Sequence, residues 1–130
     1  MDQARIDRQL ASATQALASS LTPRLDAELL LCHILDKSRS FLFSWPEHTL
    51  TNEQQSLFHT LITQRQHGQP IAYLIGHRDF WNLTLKVNHA TLIPRPDTEL
   101  LVELALNRLN NNQPISLVDL GTGSGAIALA

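Results

Sequence analysis

The chain has 130 residues, 43% apolar and 17% charged, which suits one modest domain or a small domain with part of another. Twelve acidic against ten basic side chains leave a formal charge of −2, and that excludes the basic footprint of a direct nucleic-acid binder. Residues 1–15 lack a signal-peptide core, no apolar run approaches the roughly 18 residues of a membrane span, and the lone cysteine, Cys32, has no internal disulfide partner; a reduced, cytoplasmic setting is expected.

Ile6, Leu10, Ala13 and Leu17 step by four, three and four and predict a first helix with one apolar face. Thr22-Pro23 opens a second, threonine as the cap and proline at the first helical position. From Leu25 to Leu35 this helix is apolar nearly all round, as expected of the central member of a small bundle. A short helix over 38–44 stops near Pro46. Thr51 with Gln54 forms a capping-box pattern ahead of a helix whose stripe is Leu57, Phe58, Leu61 and Ile62, ended by Gly68 and Pro70.

After a short piece at 71–74 the period changes. Leu83, Leu85 and Val87 alternate within 80–87, which predicts one arm of a β-hairpin. Pro94 and Pro96 predict an extended link. Asp97 or Thr98 can cap a helix to about Leu109, with Leu100, Leu101, Leu104 and Ala105 inward. Residues 110–114 read as a loop, 115–120 as a short strand buried on both faces, and 121–125 as a glycine turn before a helix that starts at Ala126. The chain stops about one turn into that helix. One strand cannot make a parallel sheet, so the sequence reads as a fragment.

The strand, turn and helix start contain Asp119, Gly121, Thr122, Gly123, Ser124 and Gly125. Glycines permit positive φ and close approach of a ligand, and a helix start favours an anionic group. Gly121-x-Gly123-x-x-Ala126 also fits a relaxed dinucleotide fingerprint, as in an NAD-dependent oxidoreductase. Asp119 weighs against that, because a carboxylate at the strand tip repels a pyrophosphate. S-adenosylmethionine carries no phosphate; the helix start can take its carboxylate while a nearby acid favours its cationic end. No Gly-Lys-Ser/Thr follows, which excludes a Walker-type loop. The turn by itself favours S-adenosylmethionine and leaves a dinucleotide or a purely structural turn open.

Other residues invite chemistry and have plainer readings. Cys32 lies in the most apolar helix and reads as a small core residue. His33, His48, His59, His67, His77 and His89 are scattered, with no pair at zinc-site spacing, so no metal is expected. Arg95, Asp97 and Glu99 can equally touch a ligand or serve as linker and helix cap. Phe80 and Trp81 can stack on an adenine, but packing of the hairpin is the better reading.

Three stretches carry a family resemblance: residues 68–76 (Gly-Gln-Pro-Ile-Ala-Tyr-Leu-Ile-Gly) with Phe80-Trp81; residues 91–99 (Thr-Leu-Ile-Pro-Arg-Pro-Asp-Thr-Glu); and residues 119–128 with the glycine turn. In order and spacing the chain resembles the HemK/PrmC family of release factor glutamine methyltransferases. The resemblance spans the chain and is weakest over the first 65 or so residues. It implies an α+β fragment: a helical bundle over 1–74 that helps hold the release factor, a linking β-hairpin over 75–97, and the first strand and helix start of a Rossmann-like methyltransferase domain over 98–130. It implies S-adenosylmethionine as cofactor, held by Gly121, Thr122, Gly123, Ser124 and Gly125 with Asp119 in support. The implied reaction is methylation of the glutamine in the Gly-Gly-Gln motif of class I peptide chain release factors. The family's Asn-Pro-Pro-Tyr motif and ribose-holding acid do not occur in these residues, so no catalytic residue is expected here and the chain alone is expected to be inactive. A helical binding module that meets a release factor without catalysis is the alternative.

Overall fold

In the computed structural model, which describes residues 2–109 and 112–130, the chain forms two units, Met1–Ile75 and Gly76–Ala130. The first is all helical: α1 (Ile6–Ala16), α2 (Pro23–Leu35), α3 (Arg39–Ser44), α4 (Asn52–Gln66) and α5 (Ile71–Ile75). The expected face of α1 is buried through Ile6, Leu10, Ala13 and Leu17. Arg8 N donates to Asp7 Oδ1 at 2.8 Å, but the N-cap residue, Arg5, makes no side-chain cap hydrogen bond. Loop carbonyls take that role: Ile6 N donates to His48 O and Asp7 N to Pro46 O, each at 2.9 Å.

Helix α2 is central as expected, packing on α1, α3, α4 and α5, and its Ala27, Leu30 and Leu31 meet Leu42, Leu50, Phe58 and Ile62 in one core. Its apolar run conceals two acids. Asp26 and Glu28 are both buried. Thr22 makes no cap hydrogen bond, because its hydroxyl donates instead to Asp26 Oδ1 at 3.0 Å. Helix α4 starts with the expected box: Gln54 N donates to Thr51 Oγ1 (3.2 Å) and Thr51 N to Gln54 Oε1 (2.9 Å). Phe58 and Ile62 are buried and Leu61 partly so, but Leu57 is exposed, since the neighbours of α4 cover a narrower stripe than the apolar pattern offers.

The second unit opens with an antiparallel hairpin, β1 (His77–Phe80) and β2 (Leu83–Lys86), with Phe80 opposite Leu83. Leu83 and Leu85 of the expected alternation lie in β2 and Val87 just past its end, its N–H donating to Gly76 O at 3.0 Å, but Phe80 belongs to the other arm and Trp81 turns the corner at φ 57°. Phe80, Leu85, Val102 and Ala126 form the core of this unit.

Three expectations need correction here. Pro96 does not extend the link; it opens a 3₁₀ turn (Pro96–Thr98) that runs into α6 (Glu99–Arg108), where Thr98 holds the expected N-cap position but makes no side-chain cap hydrogen bond. Its fixed φ suits a helical start as well as an extended chain. In α6 only Val102 is buried, while Leu100, Leu101 and Leu104 are exposed, because no element among the described residues of this unit covers their face. Residues 115–120 form no strand, and Val118 and Leu120 are 80% and 90% exposed. A strand is a hydrogen-bonded ladder, and this extended run has no neighbour to pair with among the described residues. Of the expected 110–114 loop, Asn110 and Asn111 lie outside the described residues. The last helix, α7, spans Ala126–Leu129.

Candidate functional site

The turn after Leu120 is built on three glycines with positive φ: Gly121 (70°), Gly123 (57°) and Gly125 (82°). A side chain at such a φ strains the backbone, so the sequence alternates glycine with Thr122 and Ser124. Gly125 N donates to Thr122 O at 2.9 Å, closing the turn, and Gly125 is the N-cap residue of α7. A Cβ on Gly125 would also stand 3.1 Å from Leu129 Cδ1. Thr122 Oγ1 donates to Asp119 Oδ2 at 3.0 Å, so the acid is fixed against the turn it precedes.

This turn walls a cavity of about 260 Å³. Asp119, Leu120, Gly121, Thr122, Gly123, Ser124, Ala126 and Ile127 line it, together with Leu92, Ile93, Pro94, Arg95 and Thr98 from the segment before α6. Five of the six residues singled out in the sequence share this lining; Gly125 sits outside it, at the start of α7. The sequence reading left Arg95 undecided and treated Thr98 only as a cap, yet both border the cavity. The usable signal was the Pro94-Arg95-Pro96 triplet, because proline restricts the residue before it to extended backbone, and Arg95 is extended (φ −97°, ψ 147°).

The neighbouring candidates do other work. Glu99 accepts a hydrogen bond from Trp81 N at 2.7 Å and so holds the hairpin corner. Phe80 is 1% exposed in the core, and neither it nor Trp81 lines the cavity. Asp97 does not line it either.

The first unit has a groove of about 170 Å³ along α1 and α4, with Ala13, Phe58 and Ile62 at its base and Gln9, His59 and Gln66 among its polar rim. Deeper in, Glu28 is 2% exposed and accepts from Arg24 Nε (2.7 Å) and from Arg39 Nε (3.0 Å) and Nη2 (2.7 Å). Burial pushes its carboxyl up, but the two arginines outweigh burial and hold it below the usual value. Asp26 accepts from Ser20 Oγ (2.6 Å), Thr22 Oγ1 (3.0 Å) and Arg65 Nε (3.0 Å). These two acids tie α2 to α3 and α4. Cys32 is partly buried; burial, and then the charge of Glu28, push its thiol up, which disfavours the reactive thiolate. Among the described residues no group of three or more His, Cys, Asp or Glu could hold a metal ion, and no helix is long and apolar enough to cross a membrane.

The chain thus carries a helical N-terminal unit followed by a hairpin and a glycine turn that borders a cavity. The chain belongs to the family of the PrmC N-terminal domain, whose model matches residues 9–76. It is 52% identical over 128 residues to a release factor glutamine methyltransferase of Aliivibrio fischeri, covering 98% of this chain and 44% of that protein. The protein of the same name in Escherichia coli K12 is 53% identical over 121 residues (93% of this chain, 43% of the relative). That of Vibrio cholerae is 50% identical over 129 residues (96% and 44%). The chain thus spans well under half the length of the curated relatives it matches.

Proposed function

We propose that these 130 residues supply the helical head and the cofactor turn of an enzyme that methylates the glutamine side-chain amide in the Gly-Gly-Gln motif of class I peptide chain release factors. The methyl donor is S-adenosylmethionine. The observation that carries this reading is the cavity lined by Asp119, the glycine turn, residues 92–95 and Thr98, in a chain about half identical to release factor glutamine methyltransferases. Its volume, about 260 Å³, lies below the roughly 300 Å³ at which small-molecule sites begin, so it suits one end of a cofactor. The amino-acid end fits best, because it has no phosphate to meet the carboxylate of Asp119.

In this reading Gly121, Thr122, Gly123, Ser124 and Gly125 cradle that end with Asp119 in support. Residues 1–74 hold the release factor, 75–97 link, and 98–130 begin a Rossmann-like methyltransferase domain. When bound, S-adenosylmethionine supplies an electrophilic methyl group on a sulfonium. The amide nitrogen is a poor nucleophile because its lone pair is delocalised, so the reaction depends on alignment and on hydrogen bonds to the amide. No Asn-Pro-Pro-Tyr stretch occurs in the sequence to make those bonds, and the 130 residues by themselves transfer no methyl group.

The test is methyl transfer from labelled S-adenosylmethionine to a class I release factor by the full-length gene product, with a release factor lacking the Gly-Gly-Gln glutamine as control. Label incorporated only where that glutamine is present supports the reading. Tight binding of NAD with no response to S-adenosylmethionine overturns it. A second reading, a helical module that binds a release factor without chemistry, is favoured by the separate core of the first unit. Capture of the release factor without transfer by the full-length product would select it.

A further inference from the structure

The cavity lining contains two ionisable side chains among the described residues, Asp119 and Arg95, one of each sign. Asp119 is fixed by Thr122. The backbone carbonyl of Arg95 accepts from Thr98 N at 3.1 Å, but its guanidinium makes no hydrogen bond or ion pair with any described residue, and Glu99, four residues on, already accepts from the backbone N–H of Trp81. Pro94 and Pro96 flank Arg95, and its extended backbone is the one that a following proline enforces. The chain therefore holds an uncommitted guanidinium on a stiff segment at the edge of the cavity.

We propose that Arg95 binds the carboxylate of the cofactor's amino-acid end while Asp119 faces its ammonium. This rests on the S-adenosylmethionine reading above and adds to it the residue that recognises the anionic half of the zwitterion. One fixed anion and one available cation match a ligand end carrying both charges with no net charge. They match a pyrophosphate poorly, since it would meet one cation and one repelling acid. Guanidinium is suited to the task because its planar fork pairs with both carboxylate oxygens at once.

The test uses the full-length gene product and calorimetric titration with three ligands: S-adenosylmethionine, its decarboxylated form, and methylthioadenosine, which lacks the amino-acid end. Arg95→Gln is expected to weaken S-adenosylmethionine about tenfold, the loss of one charged hydrogen-bonding partner. The two ligands without a carboxylate should keep their affinities. Arg95→Lys, which keeps the charge and loses the fork, should fall between. Unchanged S-adenosylmethionine binding by Arg95→Gln overturns the inference, and so does equal weakening of all three ligands, which marks a structural role. The wild-type protein separates the two levels of the argument: if it fails to bind S-adenosylmethionine, the functional reading falls first; if it binds and Arg95→Gln is indifferent, only the role of Arg95 falls.

Discussion

Removing both arginines from Glu28, as Arg24→Met with Arg39→Met, strands a carboxylate that is 2% exposed and accepts three hydrogen bonds from them. Breaking a buried pair by deleting one side costs about 3–5 kcal/mol. Both arginine side chains are 49% exposed, so solvent screens part of the attraction, and a loss of about 2–3 kcal/mol at pH 7 is expected. The pH dependence has a definite sign. In the wild type the folded Glu28 carboxyl lies below its ordinary value of about 4.5, so its contribution is complete above that pH and is lost as pH falls through the folded value. Without the arginines only burial acts, the carboxyl rises above its ordinary value, and protonation relieves the penalty. The stability gap should therefore narrow on acidification from pH 7 to about 4. Urea unfolding of the chain followed by far-ultraviolet circular dichroism measures it. A loss under about 0.5 kcal/mol, or a gap that stays constant with pH, would refute the account of this pair.

Thr51→Ala removes the acceptor for Gln54 N at the start of α4 and should cost about 1 kcal/mol in the same urea assay. Gly125→Ala places a Cβ at φ 82° and 3.1 Å from Leu129 Cδ1, which should cost about 1–2 kcal/mol in the second unit and weaken S-adenosylmethionine binding by the full-length product, read by calorimetry. Cys32, with its thiol pushed up by burial and by Glu28, should alkylate more slowly at pH 8 in the folded chain than in urea; equal rates would show that burial does not protect it.

Short-range order was legible where one segment carries its own instructions. The four-three-four spacing of α1, the Thr51–Gln54 box, the alternation of β2 and the glycine spacing of the turn are local patterns, and the backbone follows them. Asp26 and Glu28 were invisible within an apolar helix, because their partners Arg39 and Arg65 stand 11 and 39 residues away. The local hints were Arg24, four residues before Glu28, and Thr22, four before Asp26.

By itself, then, the sequence determined the first four helices, the second arm of the hairpin, and the turn at 121–125, since φ preference, capping and periodicity act over a few residues. Tertiary structure decided what those elements face. It left Leu57, Leu100, Leu101 and Leu104 exposed, kept 115–120 from pairing among the described residues, and put Arg95 in one cavity with Asp119. Burial and strand pairing depend on a neighbour being present, and an apolar pattern records readiness for a neighbour without supplying one.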